Sequence, residues 1–448
     1  MQLIICKTGN MLHNRLYIIL LTILFVGCSK DKTTSLFGEK PEERMEKALA
    51  EYKATLTGST YGWKTVVYPS TGGAYSFFFR FGTNDRVTMY SDVSLEAAST
   101  GKESTYRLKA VQRPSLLFDT YSYLHLLSDP DPNVYGGETG SGYSVDFEYA
   151  IDSVSADTIK LTGISFDTKM ILVKATQAEA EAYAAGSYAN LIANMENYML
   201  QNPWLYLQFS DGKKLQVSVN TFTKTFTLIY IDDANQVQLL SSPYYYTLNG
   251  IYLQKPITYG GKTFQELFWD SARQVFYVTI DGQRIEVKVA LTSVVPMHRL
   301  LGVDFSSLIV PPQELPGWSA SFTTIYTGIA TSLINGPYGL TLYYSEFAFD
   351  VSQQTMNVDV YIIQNNTLYL AQYPFTYTKT ADGVFNFTGQ TFGGNAALIA
   401  DDMKPLLDYI RNDRFTMDFI VDTQGGNGRL GQMKSVEHPD FYFTGFPQ

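Results

Sequence analysis

Tandem antiparallel β-meander modules, barrel- or sandwich-like and joined by a few helices, are the mainly β architecture this sequence predicts. Alternation with a period of two is the first observation. In "SVDFEYAID", Val145, Phe147, Tyr149 and Ile151 alternate with Asp146, Glu148 and Ala150, as a half-buried strand requires. The same pattern recurs in Lys214–Asn220, Arg284–Ala290 and Met356–Ile362. Turn-forming pairs are the second: Gly72-Gly73, Asn84-Asp85, Asp281-Gly282, Asn365-Asn366 and Asp382-Gly383 punctuate the runs. Strands joined by such short turns pair antiparallel. Third, 15% of the residues are aromatic, and aromatic side chains pack well on a pleated face.

The chain opens on a different signal. Counted from Met11, the expected start, Arg15 supplies a positive segment, and Leu16 to Val26 form an apolar run broken only by Thr22. That is the length of a secretory signal and too short to span a bilayer. Gly27 and Cys28 then resemble a bacterial lipobox, with Phe25 where Leu is usual. Residues 1–27 are therefore expected to be a lipoprotein signal peptide, with Cys28 the lipidated residue and outer-membrane lipid its partner; the alternative is an ordinary secretory signal. Each buried methylene of the acyl chains contributes about 0.8 kcal/mol, so two or three chains hold a domain firmly. Cleavage would remove Cys6, leaving Cys28 as the last cysteine, so the core has no disulfide to rest on. It would also remove Lys7 and Arg15 and no acid, moving the charge from −10 to −12. That balance opposes nucleic acid as a partner.

Residues 28–40 read as a polar tether. In "PEERMEKALAEYKATL", Met45, Leu49, Tyr52 and Leu56 fall on one helical face, opening a helix-plus-β module over 41–175. Thr176–Leu200 is helical, with Thr176 and Glu179 as a capping box and Tyr188, Leu191, Ile192, Met195 and Met199 as its apolar face. It gives a connecting helix over 176–202. A second β-module follows over 203–309. "VPPQELPGW" then reads as an extended proline-rich linker over 310–317, and a third β-module occupies 318–448. A short helix near Asp401–Ile410 decorates the third, with Met403, Leu406, Leu407 and Ile410 facing inward. Stretches 104–127, 242–269 and 373–399 share a rhythm of aromatic strand, turn, second apolar stretch and excursion. That rhythm raises distant repetition, although any meander would show it.

Within the first module, "ALAEYKATLTGSTYGWKTVVYP", "FFFRFGTNDRVTMYSD" and "STYRLKAVQRPSLLFDTYSYLHLLSDPD" resemble the domain-of-unknown-function 4302 family of Bacteroidota lipoproteins. The resemblance is strong over 41–175 and looser beyond. It implies an outer-membrane lipoprotein, often encoded near the porin and substrate-binding lipoprotein of a nutrient-uptake system, and it implies no catalytic residues. In that phylum, acids just after the lipidated cysteine favour export to the cell surface. The cell surface is the expectation; "SKDK" offers only Asp31 between two lysines, so the periplasmic face stays open as the alternative.

Motifs that carry chemistry fail their context tests. "GNGRLG" (Gly426–Gly431) matches a dinucleotide fingerprint, but the 17 residues beyond it cannot supply the helix and returning strand, so it reads as a hairpin. "GGKT" (Gly260–Thr263) reads as a turn. His125, His298 and His438 stand far apart and form no metal-binding spacing. In "SDPDPNVYGGETGSG", Asp129, Asp131 and Asn133 reproduce the alternate oxygens that open a calcium loop, and Glu138 could complete a noncanonical Ca²⁺ site. Val134 stands where that loop needs Gly, so a polar turn-rich loop is the simpler expectation. The functional expectation is a binding or accessory lipoprotein, with an oligosaccharide, a peptide or uptake-complex proteins as partners. Tyrosine-rich "SSPYYYTL" would suit stacking on sugars. A carboxylate-dependent hydrolase of glycans or peptides and a structural envelope lipoprotein are the alternatives.

Overall fold

A computed structural model describes residues 41–110, 113–423 and 428–448. The segments expected as signal peptide (1–27) and tether (28–40), with Cys28, lie outside the described residues. Within them, no helix is long and apolar enough to cross a membrane.

The first unit is a closed barrel of eight strands in strict sequence order, from Trp63–Tyr68 to Lys169–Lys174. It closes because the first strand pairs with the last, Trp63 opposite Lys174 and Val67 opposite Met170. Alternate side chains fill the interior, among them Trp63, Phe77, Phe79, Met89, Tyr106, Tyr149 and Met170. The helix Pro41–Thr57 packs on this unit by its predicted face. Its Leu56 is buried, and the Leu56 carbonyl accepts from Trp63 Nε1 at 2.9 Å.

The middle unit is a nine-stranded antiparallel sheet: eight strands run in order from Leu205–Gln208 to Gln283–Glu286, and a ninth, Lys288–Val289, lies beside the first. Arg284–Ala290, expected as one strand, is broken at Val287. Its first half pairs with Val275–Ile280 and its second half, Lys288–Val289, crosses to Leu205–Gln208 at the opposite edge. One short segment thereby brings the two sheet edges together and covers both.

The third unit is again a closed eight-stranded barrel, from Ser307–Val310 to Tyr442–Pro447. Its opening strand pairs with both Thr341–Asp350 and Tyr442–Pro447. Segment 310–317, expected as a linker, therefore lies inside the third unit. The Pro316 carbonyl accepts from Thr444 Oγ1 at 2.7 Å, and Trp318 Nε1 donates to the Thr444 carbonyl at 3.0 Å. Prolines here stiffen a strap across the barrel. The helix Ala400–Asn412 buries Met403, Leu406, Leu407 and Ile410 as expected.

Two further expectations are refined. Thr176–Leu200 is two helices, Gln177–Ala184 and Ser187–Gln201, hinged at Gly186 with φ +71°. The capping box forms, and Tyr188, Ile192 and Met195 are buried against the middle sheet. The strand expected from Ser144 begins only at Glu148. Asp146, placed by alternation on the solvent side, is 3% exposed because its carboxylate caps the 165–168 turn, accepting from Ser165 N, Phe166 N and Thr168 N. Each of the three stretches of shared rhythm begins in or at the fourth strand of its unit. In the first and third units the stretch leads into a short helix, and in the middle unit into another hairpin.

Candidate functional site

The first barrel and the middle sheet meet around one carboxylate. Asp92 follows the strand Arg86–Ser91, and its side chain is fully buried. Its Oδ1 accepts from Ser76 N at 2.9 Å and its Oδ2 from Tyr246 N at 2.9 Å, bonding both units. Lys224 closes the arrangement from a hairpin of the middle sheet. Its Nζ lies 2.7 Å from Asp92 Oδ2, forming a buried ion pair. It faces the rings of Tyr75 at 4.4 Å and Tyr246 at 5.7 Å. Burial pushes the Lys224 pKa down, and the Asp92 charge opposes that shift.

A cleft of about 240 Å³ opens beside this pair, lined by Tyr75, Tyr135, Tyr143, Glu196, Phe222 and Lys224 among others. Helix Ser187–Gln201 supplies Glu196, whose Oε1 accepts from Tyr246 Oη at 2.9 Å. Burial raises the Glu196 pKa, and the Tyr246 hydrogen bond counteracts that. Ser76 Oγ and Tyr188 Oη lie 2.5 Å apart, and Tyr188 Oη donates to the Tyr246 carbonyl at 2.9 Å, so a buried polar network backs Tyr246. A buried ammonium, a half-buried carboxylate and several tyrosine faces equip it for reversible recognition of a small polar ligand.

The residues singled out in the sequence are placed as follows. Asp129 Oδ1 accepts from Asp131 N at 3.0 Å, and Asp129 Oδ2 accepts from Tyr121 Oη. Asp131 caps the short helix Pro132–Tyr135, accepting from Asn133 N at 2.9 Å and Asn133 Nδ2 at 2.8 Å. Glu138 is exposed and bridges to Gly142 through its backbone. The Asp129 and Asp131 carboxylates serve their own turns, and among the described residues no three His, Cys, Asp or Glu gather into a metal cluster. The loop reaches the cleft through its tyrosines instead: Tyr135 Oη donates to the Val93 carbonyl at 2.8 Å, and Tyr143 packs against it. In "SSPYYYTL", Tyr244 and Tyr246 point inward, while Tyr245 stacks on Tyr252 at 5.3 Å.

The histidines remain apart. His125 stacks on Phe147 at 4.2 Å, and His298 lies against Gly383. His438 Nδ1 lies 2.7 Å from Asp413 Oδ2, and Ser435 Oγ donates to the same oxygen. Because the Ser435 hydroxyl is spent on the carboxylate, this trio pins a loop and lacks the serine–imidazole bond of a nucleophilic triad. "GGKT" is the hairpin turn between Gly250–Tyr259 and Lys262–Asp270. "GNGRLG" lies partly outside the described residues, and the strands flanking it pair as a hairpin.

Lys224 was missed, although its parity could have flagged it. It lies in step with Phe226 and Leu228, both fully buried, so period two places a lysine on the buried face.

The family described as "Domain of unknown function (DUF4302)" matches residues 33–271, just over half of the chain. The chain belongs to this family. The match runs well beyond residues 41–175, where the resemblance is strongest in the sequence. It contains the whole first barrel and every cleft residue named above, whereas the third barrel lies outside it. No curated protein matches the chain. Among solved structures, transferrin binding protein B of serogroup B Neisseria meningitidis is 11% identical, with 86% of this chain and 76% of that chain covered and a TM-score of 0.13. A mutant of the same-named protein from Haemophilus parasuis is 10% identical, with 83% and 64% covered and a TM-score of 0.13.

Proposed function

We propose that this chain is a lipid-anchored outer-membrane protein, displayed at the cell surface, that binds a small ligand in the cleft between its first two units. It serves as a binding or accessory component of nutrient uptake. The observation that carries the binding role is Lys224. Its ammonium is ion-paired with the buried Asp92 at 2.7 Å in the wall of an aromatic cleft between two units, beside the half-buried Glu196, and buried charge gathered in such a concavity is how recognition sites are built. The lipobox at Gly27-Cys28 supports the anchor, and membership of the family accords with it as analogy.

Two experiments test this. Cys28→Ser should abolish lipid labelling and release the chain from the membrane fraction; full retention would refute the anchor. Full-length protein in detergent should be stabilised by a member of an oligosaccharide and dipeptide panel, by about 2.7 kcal/mol at a hundredfold excess over Kd. Lys224→Met should remove that stabilisation; stabilisation unchanged in the variant would place the ligand elsewhere.

A further inference from the structure

The geometry points to a ligand class for the cleft: an uncharged, hydroxyl-bearing ring, either one sugar unit or the end of a chain of them, received against Phe222. This rests on the binding role proposed above.

Charge argues first. Asp92 already neutralises Lys224 at 2.7 Å, which leaves Glu196 as the unbalanced charge of the cleft. A carboxylate or phosphate would meet a paired ammonium on one side and a like charge on the other. An ammonium-bearing ligand would give up its water for one half-buried carboxylate whose charge burial disfavours and whose Oε1 already takes the Tyr246 hydroxyl.

Hydrogen-bonding capacity narrows the class further. The oxygens of Asp92 are occupied by Ser76 N and Tyr246 N, so this carboxylate offers a ligand nothing. Lys224 Nζ is spent on Asp92 and enclosed by the Tyr75 and Tyr246 rings, whereas Glu196 keeps its Oε2 as an acceptor because its Oε1 takes the Tyr246 hydroxyl. A hydroxyl donates as well as accepts, so a hydroxyl on a ring can satisfy that acceptor without bringing charge.

Shape and apolar surface complete the case. At about 240 Å³ the cleft falls below the roughly 300–1,000 Å³ of drug-sized sites, which suits one ring. Tyr75, Tyr135 and Tyr143 form an edge-to-face cluster with centroids 6.2, 6.2 and 6.0 Å apart; Lys224 covers Tyr75, and the half-buried Tyr135 and Tyr143 give the cleft apolar ring surface. Phe222 stands at the mouth, 90% exposed. Its hairpin is locked rather than loose, since Asn220 Oδ1 accepts from Phe222 N at 3.0 Å and Thr223 N at 2.8 Å. A rigid turn that holds a phenyl ring in water beside an aromatic cleft supplies a stacking partner for whatever enters.

Calorimetric titration of the full-length chain in detergent tests the class. The probes are methyl glucoside, methyl galactoside, N-acetylglucosamine, glucuronate, glucosamine and diglycine. At least one of the uncharged sugars should bind saturably, and glucuronate should bind at least about tenfold more weakly than the best of them. Phe222→Ala and Glu196→Gln should each weaken the sugar by about tenfold, and Phe222→Ala should leave the melting temperature unchanged because the ring packs on nothing. Preference for glucuronate, glucosamine or diglycine, abolished by Lys224→Met, would overturn the ligand class and keep the cleft as a binding site. Sugar binding indifferent to all three variants, or no binding by any probe, would overturn the class and the site together.

Discussion

Asp92→Asn keeps the side-chain shape and removes the charge that ties the first barrel to the middle sheet. The aspartate accepts from one backbone amide in each unit and balances Lys224 at 2.7 Å. Asparagine retains one carbonyl oxygen, turns an amide toward the other backbone donor, and strands the buried ammonium. Removing one partner of a buried ion pair costs about 3–5 kcal/mol, and that is the loss expected. Lys224→Met should be milder, about 1–3 kcal/mol, because the aspartate left behind keeps two charge-assisted amide donors. Each single change leaves the other charge unpaired, so the double variant should cost less than the sum by more than about 1 kcal/mol. Urea denaturation of the four proteins, with hydrogen exchange reporting each unit separately, measures all three quantities. A cost below about 1 kcal/mol for Asp92→Asn, or strict additivity, would show that the pair is not the tie between the units, and the charge argument for the cleft would fall with it.

Three other outcomes follow from local geometry. By NMR titration His438 should lie above its ordinary 6.5, because the Asp413 carboxylate favours its charged form, whereas burial holds His125 below 6.5. The folded state thus binds the His438 proton more tightly than the unfolded state. The stability it contributes is complete below about pH 6.5 and lost as pH rises through its folded pKa; Asp413→Asn should bring His438 back toward 6.5. Asp131→Ala should cost about 1 kcal/mol as a lost N-cap, equally with Ca²⁺ or with chelator; a loss seen only in Ca²⁺ would instead make Asp131 a ligand. Limited proteolysis should cut near Leu291, which is 97% exposed between the middle and third units, and spare 310–317; early cleavage at 310–317 would contradict its hydrogen bonding to Thr444.

Local features were legible because their causes are local. Asp281-Gly282 and Asn365-Asn366 all adopt positive φ, as two-residue turns between twisted strands demand, and their residue types announce it. The inward faces of Pro41–Thr57, Ser187–Gln201 and Ala400–Asn412 were readable from helical spacing, which samples a single helix at a time. The linker expectation failed because proline content reports stiffness and says nothing about what a stiff segment crosses. Asp146 failed because alternation assigns a face, while a turn 20 residues away decides whether a carboxylate there is satisfied.

By itself, then, the sequence determined the β period, the turns and the helix faces, all written within a few residues of one another. Only the tertiary structure decided that Trp63 pairs with Lys174, that Val287 joins two sheet edges, and that Lys224 reaches Asp92. Barrel closure depends on the accumulated twist and register of eight strands, a property that no single strand contains. A buried charge is permissible only when a distant partner arrives to balance it, and in the sequence these two residues are merely an acid beside one turn and a lysine in another.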